Sequence, residues 1–170
     1  MRRLAVIHTG GLGDFLQTFP VLAAARRRWT NLRITIVGRE EWMPLALASN
    51  LADEAVSADG CGLHRLFADA AVAGDVPASL RTADTILSFL PHPTLASHLR
   101  AFTTACVIEA RSFPAPGEAA IPAAQFVYDQ AAPALGLPAA TAVPRVQLTR
   151  RPPEATHGMV SLPWRDGHET

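Results

Sequence analysis

Short apolar runs alternate with segments of helical periodicity along most of the chain. Residues 4–7 and 33–37 are compact, mostly apolar runs with glycines just beyond them, which is typical of strands buried on both faces of a parallel sheet. Between them, residues 14–28 carry apolar positions at helical spacing and end in three arginines, which suit a helix C-terminus. Pro20 lacks an N–H and its ring clashes with the preceding turn, so it predicts a break and a second helix with Pro20 in its first turn.

The order of these elements predicts a parallel α/β sheet. A strand, a helix and a strand within about 35 residues form a βαβ unit, whose crossover should be right-handed. Three further strands are predicted over residues 54–57, 84–90 and 104–109. Four further helices are predicted over residues 42–49, 63–71, 94–102 and 123–135. This count suits one doubly wound domain, and 170 residues leave no room for a second α/β domain.

A glycine-rich segment joins the first predicted strand to the first predicted helix. It reads His8-Thr9-Gly10-Gly11-Leu12-Gly13-Asp14. Glycines allow a tight turn and let a ligand approach backbone amides at the carboxyl edge of the sheet, where open α/β folds bind ligands. The glycine spacing does not match the GxGxxG dinucleotide fingerprint. On spacing alone, a tight turn without a ligand is as good an interpretation as a binding loop.

Other residues are predicted at the same edge. Arg39 and Glu40 follow the second strand, and His92 lies between two prolines after the fourth. His92 is the better candidate for a binding residue, with a solvated loop histidine as the alternative. Arg111, after the fifth strand, could pair with an anionic ligand or lie on an ordinary surface. Asp14 could complement the start of its helix, as acidic residues commonly do, or carry chemistry.

Composition narrows the function classes. The 15 basic and 15 acidic residues balance, and the arginines are scattered apart from those at 26–28, so the chain has no basic face for nucleic acid. No apolar stretch approaches the roughly 20 residues needed to cross a bilayer, and the run behind Met1 is too short for a signal peptide. Cys61 and Cys106 lack metal-ligand or CxxC spacing. No metal site is therefore predicted, and a cytoplasmic protein is favoured.

Residues 4–22, LAVIHTGGLGDFLQTFPVL, resemble the opening of the heptosyltransferases in family nine of the glycosyltransferases. The shared pattern is a hydrophobic strand, a small-residue turn, Gly-Asp and a helix interrupted by Thr-x-Pro. Pattern-level similarity continues to about residue 148 and would fit many Rossmann-like domains. The resemblance implies a single Rossmann-like doubly wound parallel sheet over residues 1–148, the N-terminal, acceptor-side half of a GT-B glycosyltransferase.

The family moves a heptose from an ADP-activated donor onto the growing lipopolysaccharide core, with inversion at the anomeric carbon and without a metal in the chemical step. The resemblance thus implies a sugar acceptor as partner and no cofactor beyond the ADP-sugar donor. Asp14 matches the position of the family's proposed general base, which takes the proton of the attacking hydroxyl. The residues expected to contact the acceptor are Thr9, Gly10, Gly11, Leu12, Gly13 and His92.

His8 departs from the family pattern, which usually has Arg or Lys at this position. An imidazole could neutralise an acceptor phosphate there only when it is protonated. A lipid-linked acceptor would bring the protein to the inner membrane as a peripheral protein, although no amphipathic basic helix supports this.

The end of the chain does not continue the family pattern. Nine of the 14 prolines follow Arg111 and periodicity is weak after residue 138, so residues 149–170 are predicted to be a linker or tail. The family's donor-binding domain would open near residue 160 with an apolar strand and a His-Pro-Gly turn, and neither is found. We therefore expect a truncated chain with little or no transferase activity of its own.

Two other interpretations stay open. The first is a stand-alone nucleotide- or NAD(P)-binding domain, with the glycine-rich segment over the pyrophosphate and Arg39 on a 2′-phosphate or Glu40 on the ribose. The second is a non-catalytic remnant that self-associates through the apolar surface left by the missing domain. The second is compatible with heptosyltransferase ancestry, because origin and present activity are separate properties.

Overall fold

The computed structural model describes residues 1–115, 118 and 121–148. The five strands are β1 (Arg3–His8), β2 (Arg33–Gly38), β3 (Glu54–Ser57), β4 (Thr85–Ser88) and β5 (Cys106–Glu109). The helices are α1 (Leu12–Gln17), α2 (Phe19–Arg28), α3 (Met43–Ala48), α4 (Ala78–Arg81), α5 (Pro93–Phe102) and α6 (Ala123–Ala134). Two 3₁₀ helices span Leu63–Phe67 and Ala73–Asp75. The predicted linker at residues 149–170 lies outside the described residues.

The strands form one parallel sheet in the order β3-β2-β1-β4-β5. Side chains of β1 alternate between two apolar clusters, because successive residues of a strand point to opposite faces. Leu4 and Val6 join the cluster that packs on α1, α2, α3 and α6. Ala5 and Ile7 join the cluster that packs on α5, α4 and the 3₁₀ helix at Leu63–Phe67. The predicted doubly wound α/β sheet is therefore confirmed.

The break at Pro20 is confirmed. Helix α1 ends at Gln17, and α2 begins at Phe19 with Pro20 in its first turn. Between them the hydroxyl of Thr18 donates a hydrogen bond to the carbonyl of Phe15 at 2.7 Å. This bond occupies a carbonyl left over at the end of α1, so the chain can start a new helix without a long loop.

The helix predicted over residues 63–71 is wrong in type and length. The structure has a 3₁₀ helix, Leu63–Phe67, in which the N–H of Arg65 bonds the carbonyl of Gly62 at 3.0 Å. Leu63 and Leu66 are its buried residues, and residues three apart eclipse one another in a 3₁₀ helix. A single turn of this kind buries both leucines, and the chain becomes extended at Ala68.

Strand β4 is shorter than the predicted strand at residues 84–90. The hydroxyl of Ser88 lies 3.3 Å from both the N–H and the carbonyl of Leu90, and these local bonds turn the backbone out of the sheet. At the other end of β4, the Asp84 carboxylate accepts the N–H groups of Arg2 and Arg3 at 2.6 and 3.0 Å. These bonds tie the start of the chain to the centre of the sheet.

Candidate functional site

The loops after β1, β2 and β3 surround an open groove of about 590 Å³ at the carboxyl edge of the sheet. Thr9 contributes one wall, and the residues after β2 and β3 contribute the others. Three carboxylates, those of Glu40, Glu41 and Asp59, line the groove with a single cation, Arg39. Arg39 and Glu41 form an exposed ion pair at 3.4 Å. The groove is therefore rich in oxygen atoms that accept hydrogen bonds from hydroxyl groups, and its cation is already paired.

The glycine-rich segment connects β1 to α1 beside this groove. Gly11 precedes the first turn of α1, and its carbonyl accepts the N–H of Phe15 at 3.0 Å. Gly11, Leu12 and Gly13 are exposed, and a Cβ added at Gly11 or Gly13 would meet no atom within 4 Å. Asp14 is half-buried in the first turn of α1. The structure thus brings Thr9 to the groove and leaves the loop that leads to Asp14 open to solvent.

His8, the last residue of β1, is a deeply buried polar side chain at this edge. Its side chain is 3 % exposed, and its ring lies 5.4 Å from the ring of Phe15 and 5.7 Å from that of Phe89. Neither ring nitrogen has a hydrogen-bond partner among the described residues. The sequence could not reveal this burial, because the enclosing Phe89 lies 81 positions further along the chain.

Burial lowers the pKa of His8 from its ordinary value of 6.5, because a protonated ring loses its hydration in this apolar setting. The negative charge of Asp14 acts in the opposite direction and raises the pKa without cancelling the effect of burial. The backbone of His8 itself also raises the pKa of the ring. Its approach to the ring nitrogens does not have the geometry of a hydrogen bond. His8 is thus neutral at pH 7 and buried, which argues against its neutralising an acceptor phosphate.

The lowered pKa of His8 predicts a loss of stability on acidification. The unfolded chain binds this proton near pH 6.5, and the folded chain binds it only at lower pH. The unfolding free energy therefore has its full value above pH 6.5 and decreases as the pH is lowered from there. We expect urea unfolding between pH 7 and 5 to show a smaller loss of unfolding free energy for His8→Phe than for the unmodified chain. Equal losses in the two proteins would contradict the prediction.

His92 lies on the other side of the sheet from α1. It precedes the first turn of α5, is half-buried, and packs edge-on against Phe67 at 4.8 Å between ring centroids. Its Nδ1 atom has no hydrogen-bond partner among the described residues. The ring packs on Phe67 rather than on the glycine-rich segment, so its role at the acceptor site stays a prediction.

Arg111 has partners within the chain. Its guanidinium pairs with the Glu118 carboxylate at 2.8 Å and lies over the Phe126 ring, 5.3 Å from the centroid. The side chain of Gln130 on α6 accepts the N–H of Arg111 at 3.1 Å and donates to its carbonyl at 3.0 Å. These contacts favour the ordinary surface role over anion binding. Gln130 carries no signal in the sequence for this role, because its partner lies 19 positions away.

Metal sites and membrane-spanning helices each have requirements that the described residues do not meet. They contain no group of three or more His, Cys, Asp or Glu side chains that could hold a metal ion. None of their helices combines the length and apolar character needed to cross a membrane.

The fold and the position of the groove define a Rossmann-like α/β domain with its candidate site at the carboxyl edge of the sheet. The chain is similar to a glycosyl transferase family 9 structure from Veillonella parvula, with a TM-score of 0.53 and 17 % identity, over 81 % of this chain and 42 % of that one. It is similar to the Escherichia coli heptosyltransferase WaaC with ADP, with a TM-score of 0.57 and 14 % identity, over 85 % and 51 % of the two chains.

A second structure of WaaC, with ADP-2-deoxy-2-fluoro heptose, gives a TM-score of 0.57 and 12 % identity over 86 % of this chain and 52 % of that one. The chain thus spans about half the length of the structures that it matches. No family model matches the sequence, and no curated protein matches it significantly. At this level of identity the likeness establishes the fold, which is that of one half of the family 9 heptosyltransferases. The fold implied by the sequence resemblance is confirmed to that extent.

Proposed function

We propose that this chain is the acceptor-binding half of a heptosyltransferase-like inverting glycosyltransferase that acts in the synthesis of lipopolysaccharide core or a related glycan. The observation that carries the proposal is the position of Asp14. It lies in the first turn of α1, directly after the glycine-rich segment at the carboxyl edge of the sheet, and Thr9 in the same segment lines the groove. This is also the part of the sequence with the specific resemblance to family nine.

In the proposed reaction, Asp14 takes the proton from the attacking hydroxyl of the acceptor. The hydroxyl oxygen then forms a bond to the anomeric carbon of the donor sugar while the bond to the ADP phosphate breaks. Attack from the face opposite ADP inverts the anomeric carbon. The bonding electrons leave with ADP, whose phosphate gains a negative charge, and the Asp14 carboxylate ends protonated. The task proposed for the described residues is to position the hydroxyl and hold this proton.

The groove supplies the groups that would orient the acceptor. Sugar hydroxyls donate hydrogen bonds well to carboxylates, and Glu40 and Asp59 offer such oxygens near Thr9. The acceptor would lie across the loops after β1, β2 and β3, with its reactive hydroxyl toward Asp14. We propose that residues 1–148 form the N-terminal domain and that a second domain binds the ADP-sugar. Residues 1–148 alone are then expected to bind acceptor without transferring sugar.

One observation bears on the alternative of a nucleotide-binding domain. Arg39, which would contact a 2′-phosphate, is paired with Glu41 at 3.4 Å. Glu40 lines the groove and could accept a ribose hydroxyl. The alternative is therefore tested with NAD and ADP, whose binding is distinguishable from sugar binding by titration.

The proposal is tested by adding ligands to the ¹⁵N-labelled chain and following its amide resonances. We expect an inner-core oligosaccharide of lipopolysaccharide to shift the amides of Thr9 to Asp14, and NAD or ADP to leave them in place. Asp59→Asn should weaken sugar binding several-fold, because it removes a charged acceptor from the groove. Asp69→Asn is the matched control, since Asp69 is exposed and is not a groove residue.

Binding of NAD or ADP at these amides without sugar binding would overturn the proposal in favour of the nucleotide-binding alternative. Equal weakening by Asp59→Asn and Asp69→Asn would place the sugar outside the groove.

A further inference from the structure

His8 and Asp14 approach each other across Gly10. A Cβ added at Gly10 would lie 3.1 Å from the Cε1 atom of His8 and 3.1 Å from the Oδ2 atom of Asp14. Both atoms lie 3.1 Å from the same Cβ position, so the distance between them is at most twice 3.1 Å. Gly10 has no side chain, so nothing from this residue fills the space between the imidazole and the carboxylate.

The surroundings of His8 make a purely structural role unfavourable. Phe15 and Phe89 enclose the ring on two sides, and neither ring nitrogen has a hydrogen-bond partner among the described residues. Leaving a buried polar group without a partner generally costs about 1–3 kcal/mol. An apolar residue would fill the same space without that penalty, and a buried polar group without a partner calls for an explanation, of which a functional role is one.

We propose that His8 is a positioning residue for Asp14, and that the imidazole and the carboxylate form an electrostatically coupled pair across Gly10. The neutral ring carries one N–H, which can donate to the carboxylate when the acceptor covers the loop and excludes water. This hydrogen bond would keep the Asp14 carboxylate directed toward the acceptor hydroxyl while the carboxylate takes up the proton. The chemical role rests on the proposed function, whereas the coupling of the two side chains does not.

Among the described residues, Asp14 on α1 is the charged side chain that raises the pKa of His8. The two aromatic rings that pack against the imidazole, Phe15 from α1 and Phe89 from the loop after β4, do not titrate. A change in the titration of His8 on removal of the Asp14 charge therefore reports on this pair.

The test is a pH titration of the His8 Cε1–H resonance in the 170-residue chain, assigned by its loss in His8→Gln. Asp14→Asn removes the charge that raises the pKa of His8, so we expect the titration midpoint to shift downward. Gly10→Ala should shift it in the same direction. Its methyl group would press on both side chains, so a neighbour must give by a few tenths of an ångström, and the Asp14 carboxylate yields more easily than the imidazole between Phe15 and Phe89.

Gly11→Ala is the matched control, because its Cβ meets nothing within 4 Å. We expect the His8 midpoint to stay in place in this variant. A midpoint unchanged by both Asp14→Asn and Gly10→Ala would overturn the proposal, and so would an equal shift in Gly11→Ala. A shift in the two variants in a chain that fails to bind sugar would support the pair and count against the proposed function alone.

Discussion

Replacing Asp14 by asparagine is expected to lower the rate of sugar transfer by about 10²–10⁴-fold, the usual contribution of a general base. Asparagine keeps the size of the side chain but cannot take the proton from the acceptor hydroxyl. The assay combines the chain with a donor-binding domain, as a fusion or as a separate polypeptide, and measures ADP released from ADP-heptose in the presence of lipopolysaccharide core acceptor.

The size of this effect separates the two interpretations of Asp14. A carboxylate that only complements a helix start contributes about 0.3–1 kcal/mol to stability and nothing to the chemical step. A loss of 10²–10⁴-fold corresponds to about 3–5 kcal/mol in the transition state. The exposed Asp69→Asn serves as the control for loss of one carboxylate. Full activity in Asp14→Asn together with a small loss of stability would assign Asp14 to the helix alone.

Much of the fold follows from local signals in the sequence. β1 and β2 are central strands, and their apolar runs are visible without a structure because both faces of each are covered. The break at Pro20 was predictable from covalent chemistry, since proline has no N–H to offer the helix. Helix α4 was missed, because a single turn of four residues has no periodicity to detect.

The candidate site also has a part that the sequence predicts and a part that only the structure reveals. The glycine-rich segment and Asp14 are contiguous in sequence, so their place after a strand was predictable from the order of elements alone. The enclosure of His8 and the packing of His92 on Phe67 depend on side chains brought together by the fold. No local pattern predicts which face of an aromatic ring a distant residue will cover.

Replacing Gly38 by alanine is expected to lower the unfolding free energy by about 1–3 kcal/mol, the typical penalty for overpacking. Gly38 ends β2 and pairs in register with His8 of β1, and an added Cβ would run into the carbonyl oxygen of His8. That oxygen belongs to the backbone of the central strand, which is held by β2 on one side and β4 on the other. Neither strand can yield without breaking its pairing. Urea unfolding at pH 7 measures the change as a lower midpoint with an unchanged slope.

Gly13→Ala is the matched control, because it makes the same chemical change in α1 where an added Cβ meets no atom within 4 Å. We expect this variant to be more stable by about 0.4–1 kcal/mol, since alanine restricts the unfolded chain. The two substitutions are thus expected to change stability in opposite directions. A Gly38→Ala protein as stable as the unmodified chain would mean that β1 and β2 lie further apart at their carboxyl ends. The same contact holds the backbone of His8, so this result would also count against the approach of His8 to Asp14.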